Sequence, residues 1–300
     1  MKLYLGFLVV LSSASCGRPV SRNMKDVPSK LQQFAGVQDY QIGPEWGKQP
    51  VTSQNVATLT PELQRAAKAT AYVGLGFGGA TAFVIGQKDG SIRMATNHHV
   101  IGKDSDCRKA SIKFPLLGIS GLKCEKLIGT WNEIDLTVFV LAGGTTQQRE
   151  LILSVAQNFA FDHKVVKGTK MFSVGFGVAG NSGQKNMMTV QDEDCKVYSK
   201  DSEVRLMKDP DEINPGPDLV WGFAFGCDVS HGDSGSAVLD RDSGEVMGIV
   251  FTGKIPKVST VRDRSWLDNA FETNSESVWK ELNFAVPAAK IAEVTRGVLE

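Results

Sequence analysis

The stretch Ser230-His231-Gly232-Asp233-Ser234-Gly235-Ser236 constrains this chain more than any other. Glycines at 232 and 235 flank Ser234. Lacking a Cβ, they reach backbone conformations closed to other residues, so the chain can turn tightly and expose the serine. The same turn leaves the N–H groups of Gly232 and Ser234 free to converge on one point. A serine hydroxyl is a weak nucleophile at neutral pH. It needs a base to take its proton and donors to hold the oxyanion that forms. The stretch therefore asks the rest of the chain for a histidine and a carboxylate.

Two upstream segments supply them. Ala95-Thr96-Asn97-His98-His99-Val100-Ile101 follows an apolar run, and Ile134-Asp135-Leu136-Thr137-Val138-Phe139-Val140-Leu141 opens with an acid and continues as a strand. Asp135 comes 36 residues after His99, and Ser234 a further 99 residues on. In this order and spacing the three motifs resemble those of the chymotrypsin-fold, trypsin-like serine peptidases. The similarity is to the bacterial HtrA-type and glutamyl-endopeptidase branch, over roughly residues 71–298 and without a PDZ domain. The resemblance implies an all-β fold of two six-stranded antiparallel Greek-key β-barrels with a C-terminal helix. It implies a serine endopeptidase acting on polypeptides, with Ser234 as nucleophile, His99 as general base and Asp135 orienting the imidazole. Backbone N–H groups of Gly232 and Ser234 would form the oxyanion hole, where losing one donor typically costs about 3 kcal/mol. His98, Glu133 and Ser236 are the rival neighbours, each out of register with the family motif. His231 either lines the cleft or sits exposed.

Specificity is read through the same resemblance. Asp228, six residues before Ser234, corresponds to the acid at the base of the primary pocket that selects Arg or Lys in trypsin-like enzymes, although many bacterial relatives carry an aspartate there without that preference. Phe251, Thr252 and Gly253 would wall the pocket and pair with substrate backbone. Asn283-Phe284-Ala285 would form the opposite wall. Glutamyl endopeptidases carry a histidine where Val250 stands, which argues against acidic specificity. Asp233 matches animal-type enzymes, in which it pairs with a newly exposed N-terminal amine; HtrA-type and glutamyl relatives usually have asparagine there. No Ile-Val-Gly-Gly activation motif is present, so Asp233 lacks an evident partner.

The N-terminus reads as an export signal. Lys2 precedes an apolar run, Leu3 to Leu11, too short to span a membrane, then small residues and Cys16. Ser13-Ala14-Ser15-Cys16 resembles a bacterial lipoprotein cleavage box, with Ser13 where leucine is usual. Residues 1–16 are expected to be a signal peptide ending at a lipidated Cys16, with ordinary signal-peptidase cleavage as the alternative. The chain would sit in the periplasm or cell envelope, or be secreted. Four further cysteines allow three pairings in an oxidising compartment. Proximity favours Cys107–Cys124 and Cys195–Cys227. No CxxC pair occurs and histidines number four, so no metal or cofactor is expected. Formal net charge is zero, without the basic excess that nucleic acid calls for, and membrane contact is expected only through the anchor.

At 300 residues and 42% hydrophobic content the chain can build a large core. Residues 17–60 are polar and turn-rich and read as a tether or pro-segment before a peptidase domain at 61–300. Within that domain the first barrel is expected at about 71–145, the second at about 160–287 and the closing helix at 288–299. Thr60-Pro61 signals a short helix to Lys68, and Gln147–Phe159 is a helix or a linker. Gly74, Gly76 and Gly79 match a dinucleotide-binding spacing, but strands rather than a helix follow. An α/β-hydrolase esterase needs Gly-x-Ser-x-Gly, and Ser236 breaks it. A long polar stretch, Lys254 to Glu281, is expected to be a lid, an exosite or a surface excursion. A catalytically silent binding protein, or a zymogen awaiting cleavage, is the alternative to an active peptidase.

Overall fold

A 13-residue strand, Ile119–Trp131, meets an almost wholly buried one, Leu136–Ala142, and around this pair the first half of the chain closes. The computed structural model describes residues 36–76, 78–184 and 186–299. Residues 1–16, expected to be a signal peptide ending at Cys16, lie outside the described residues.

After β1 (Lys48–Val51) and helix α1 (Pro61–Ala69), six strands form a closed antiparallel barrel. They are β2 (Thr70–Gly74), β3 (Gly79–Lys88), β4 (Ser91–Thr96), β5 (Ser111–Phe114), β6 (Ile119–Trp131) and β7 (Leu136–Ala142). Their order around the barrel is β2-β3-β4-β7-β6-β5. Helix α2 (Asp104–Lys109) follows the histidine motif, and α3 (Thr146–Ser154) leaves the barrel. Alternation along β5 puts Ile112 and Phe114 inward and Ser111 and Lys113 outward. They join Val73, Ala82, Val84, Met94 and Phe139 in the barrel core. Gly74 and Gly79 are paired across the β2–β3 hairpin, so no helix follows the glycines and the dinucleotide reading fails.

The second half is a sheet of β8 (Met171–Gly175), β9 (Met187–Val190), β10 (Arg205–Lys208), β11 (Leu219–Phe225), β12 (Ala237–Asp240), β13 (Val246–Gly253) and β14 (Asn283–Pro287), with β1 at one edge. The all-β, chymotrypsin-like fold class holds. The strand count differs: the order is β1-β9-β8-β12-β13-β14-β11-β10, eight strands rather than six. Around Cys195, the chain makes only isolated bridges, at Lys196 and Val197. A core shared by the two halves joins Phe83, Ala95, Ile134 and Leu136 to Phe172, Phe176, Ala237 and Phe284. Helix α6 (Ala288–Thr295) closes the chain, ending before the expected Leu299, and buries Ile291.

Two expectations need correction. The supposed tether or pro-segment at 17–60 is, from Gly36 onward, built into the domain. Tyr40 and Ile42 are fully buried, and β1 pairs along its length with β9, from Lys48 against Val190 to Val51 against Met187. Polarity misled because these residues satisfy backbone groups of the second half instead of water. The Lys254–Glu281 stretch is not a free lid either. It carries α4 (Arg264–Glu272) and α5 (Val278–Glu281), and buries Val261, Leu267, Ala270, Val278 and Trp279. Trp279 stacks on Phe284, and Arg264 grips Asp194 with contacts of 2.5 and 2.7 Å. Where the sequence signalled a cap, it was met: the Thr60 hydroxyl accepts from Leu63 N–H and Pro61 starts α1.

Both disulfides favoured by proximity are present, Cys107–Cys124 and Cys195–Cys227. The first pins α2, just after the histidine motif, to β6. Its loop spans 17 residues, for which unfolded-state entropy corresponds to about 3 kcal/mol. Replacing both Cys107 and Cys124 by serine is expected to lower urea-unfolding stability by about that amount. The midpoint of the urea transition measures it.

Candidate active site

The loop after β4 and the turn before β7 are tied to each other at four points. His98 N–H donates to the Asp135 carbonyl at 3.0 Å and Asn97 Nδ2 to the same oxygen at 2.9 Å. The Asp135 carboxylate accepts His99 N–H on Oδ1 at 2.9 Å, and its Oδ2 lies 2.7 Å from His99 Nδ1. Asp135 adopts φ 39°, left-handed backbone that aspartate tolerates better than most residues. It is 4% exposed, whereas the His99 ring faces the cleft. With main chain and ring both anchored to one carboxylate, the imidazole has its orientation set. His98, the rival, points its Nδ1 at the Thr130 hydroxyl instead.

Ser234 comes from the second half and lines the same cleft as His99 and Asp135. Its loop is held by the first barrel through Thr81 on β3. Thr81 N–H donates to the Ser234 carbonyl at 2.9 Å, and the Thr81 hydroxyl donates to the Gly232 carbonyl at 2.8 Å. Gly235 has φ +83°, and a Cβ there would lie 2.1 Å from the Thr81 carbonyl, so the close approach needs glycine. The His231 carbonyl is held by Val178 N–H at 2.8 Å. In a trans peptide the carbonyl and the following N–H point oppositely, so this bond turns Gly232 N–H away from Val178. Among the described residues, neither Gly232 N–H nor Ser234 N–H is given to a protein acceptor. Ser236 is fully buried with its hydroxyl unpartnered, which removes it as a rival to Ser234.

The cleft has a volume of about 220 Å³. Phe251, Thr252 and Gly253 on β13 line it, as the sequence suggested. Asp228 does not. It is fully buried, and its two oxygens accept Ile42 N–H and Gly47 N–H, each at 2.7 Å. Burial pushes its carboxyl up to about 8, despite those N–H donors and the nearby Lys48. The pocket-floor reading of Asp228 is thus corrected: the N-terminal segment has captured the side chain. Asn283 and Phe284 are also not a wall. They are buried on β14, paired beside β13, where Asn283 Nδ2 donates to the Cys227 carbonyl.

Sequence reasoning missed the acids that do line the cleft. Asp209, Asp211 and Asp218 belong to a turn-rich loop between β10 and β11. Asp209 accepts N–H groups of Asp211 and Gly216 and the Thr252 hydroxyl, which joins this loop to β13. Asp211 accepts Ile213 N–H and lies 2.8 Å from His231 Nε2, while the Tyr40 hydroxyl meets His231 Nδ1 at 3.2 Å. His231 is therefore bracketed at the cleft edge, not free on a loop. The run of Asp, Pro, Asn and Gly from 209 to 218 was a legible turn signal, but nothing local placed it beside Ser234.

These pieces amount to a serine that lines one cleft with a carboxylate-anchored histidine, the first from one half and the second from the other. Residues 80–249, which include all three, match the family described as trypsin-like peptidase domain. The chain belongs to that family. Solved structures similar to this trypsin-like peptidase include the inactive form of the protease Rv3671c from Mycobacterium tuberculosis H37Rv, in a mutant and a second crystal structure. They are 16% and 15% identical, cover 82% and 83% of this chain and 92% and 98% of theirs, each with TM-score 0.50. A Glu endopeptidase in complex with MPD is 14% identical at TM-score 0.50, over 86% of this chain and 100% of its own. At such identities the likeness is one of fold. A search among curated proteins finds no match.

The environment of His99 sets its titration. Withdrawal from bulk water opposes the imidazolium, but the charge and hydrogen bond of Asp135, with Asp209 and Asp211 behind, outweigh it and raise the ring above its ordinary value. A raised folded pKa means that the pair's contribution to stability is full below about 6.5. It is lost as pH rises through the higher folded value. Following the His99 ring by NMR, titration is expected above 6.5 in the native protein. In Asp135→Asn it is expected lower than in the native protein, because the charge and hydrogen bond of Asp135 that favour the cation are gone.

Proposed function

We propose that this trypsin-like peptidase is a serine endopeptidase that cleaves polypeptides through an acyl-enzyme on Ser234. The observation that carries the reading is the two-point hold of Asp135 on His99, opening onto the cleft that Ser234 lines. A ring fixed at Nδ1 presents Nε2 outward as a base. Ser234 Oγ attacks the scissile carbonyl carbon while its proton passes to His99. The carbonyl oxygen becomes an oxyanion, met by the N–H groups of Gly232 and Ser234. Collapse expels the amine, which takes the proton from His99. Water, deprotonated by His99, then attacks the ester, and the acid product leaves as the proton returns to Ser234.

Substrate backbone adds along Phe251, Thr252 and Gly253 on β13, in the manner of an added strand. The two disulfides fit an extracellular or periplasmic setting. Export by a signal peptide with lipid attachment at Cys16 is the reading of the N-terminus that we propose with it.

Fluorophosphonate labelling followed by peptide mapping tests the reaction. Label is expected on Ser234 of the folded protein and absent from Ser234→Ala. That variant is expected to lose on the order of 10⁶-fold in kcat. Failure of the folded native protein to label at Ser234 overturns the reading.

A further inference from the structure

Asp233, left without a partner by the sequence, has one in the structure. Its Oδ2 forms an ion pair with Lys48 Nζ, and the two side chains are 3% and 1% exposed. The same oxygen accepts Ser230 N–H at 2.7 Å and the Ser230 hydroxyl at 3.2 Å, and Oδ1 accepts Gly177 N–H at 3.0 Å. The carboxylate is thus dry, with both oxygens held by protein donors, and it sits between Gly232 and Ser234 in the chain.

The place of Lys48 is set by the sheet. It opens β1, paired with Val190 of β9, and Gly47 N–H before it is given to Asp228. The segment 42–48 therefore holds this stretch at two points, just before the serine loop through backbone N–H groups on Asp228 and within it through an ammonium on Asp233. The grip reaches the oxyanion donors. Gly177, bonded to Asp233, adjoins Val178, whose N–H holds the His231 carbonyl and so turns Gly232 N–H. Gly177 makes room for the cluster, since a Cβ there would lie 2.1 Å from Asp233 Oδ2 and 2.4 Å from Lys48 Nζ.

We propose that Lys48 is the positioning residue that assembles the Ser230–Ser236 loop, so that the uncut chain is competent and no cleavage exposing a new α-amine is required. The proposal rests on Ser234 being the nucleophile. An ammonium group neutralises the buried carboxylate here as a terminal amine would, but it comes from a side chain present from synthesis. Without it, the loop would have to move to hydrate Asp233, taking Gly232 and Ser234 with it, because a lone buried carboxylate is costly.

The test uses protein whose intact mass shows an unbroken chain from Lys48 onward. Fluorophosphonate is expected to label Ser234 at the same rate before and after limited proteolysis. Lys48→Met, folded by near-UV circular dichroism, is expected to lose about 10²–10³-fold in kcat on a peptide substrate, as for a missing oxyanion donor. KM is expected to stay within about threefold, because β13 is untouched. Lys48→Met with Asp233→Asn removes both charges and is expected to recover at least about tenfold of that loss. Should the single variant fail to fold, the double variant decides alone: folded and labelled at Ser234 it supports the pairing, and folded but inert it overturns it. Labelling that appears only after the chain is cut overturns the proposal while leaving the peptidase reading intact. So does Lys48→Met with native kcat. Absence of label both before and after cutting overturns the peptidase reading itself, and the proposal with it.

Discussion

A buried ammonium–carboxylate pair, Lys48 with Asp233, lies at the point where three parts of the molecule meet. Water is excluded from both charges, so each must be satisfied by protein. Asp233 draws Gly177 and Ser230 to itself, and Lys48 brings the edge strand β1 with it. A buried pair of this kind adds little net stability over an apolar replacement, but breaking it by removing one partner is strongly destabilising. Its effect is to make one arrangement of the serine loop much better than the alternatives. That loop carries Ser234 and both N–H groups assigned to the oxyanion hole.

The second constraint is the seam between the halves. His99 and Asp135 belong to the closed barrel, and Ser234 to the eight-stranded sheet. Chemistry between them needs the halves fixed to a fraction of an ångström. Thr81 supplies part of that fixing. It binds the Ser234 and Gly232 carbonyls, its hydroxyl accepts Phe176 N–H, and its own carbonyl accepts the Thr96 hydroxyl. Beneath these polar contacts lies the apolar core shared by Phe83, Ala95 and Leu136 with Phe172 and Phe176. Packing of this density transmits position with little give.

Around the cleft, the carboxylates beside His231 come from the loop 209–218 and not from Asp228. The exchange has a simple cause. Once Ile42 and Gly47 N–H groups take the Asp228 oxygens, that carboxylate closes a structural contact and the cleft is shaped by residues further along. Asp209 is tied to Thr252 on β13, so the loop and this strand form one wall of the cleft.

The sequence by itself determined the class of fold and pointed to the chemistry proposed for it. Glycines around Ser234, the histidine and aspartate motifs in order, alternation in strands such as Ser111–Phe114, and the Thr60-Pro61 cap are local signals. Local backbone rules act through neighbours in the chain, so they can be read without a structure. Cysteine proximity belongs here too, because short loops close most easily. Only the tertiary structure decided what Asp228 and Asp233 do, that the polar segment from Gly36 is part of the sheet, and that Trp279 is buried. Lys48 and Asp233 are 185 residues apart, and Asp228 and Ile42 are 186 apart. No periodicity or propensity couples positions so distant. Their partners are chosen by which strand edge is left open and which buried charge must be answered, and those are properties of the folded chain alone.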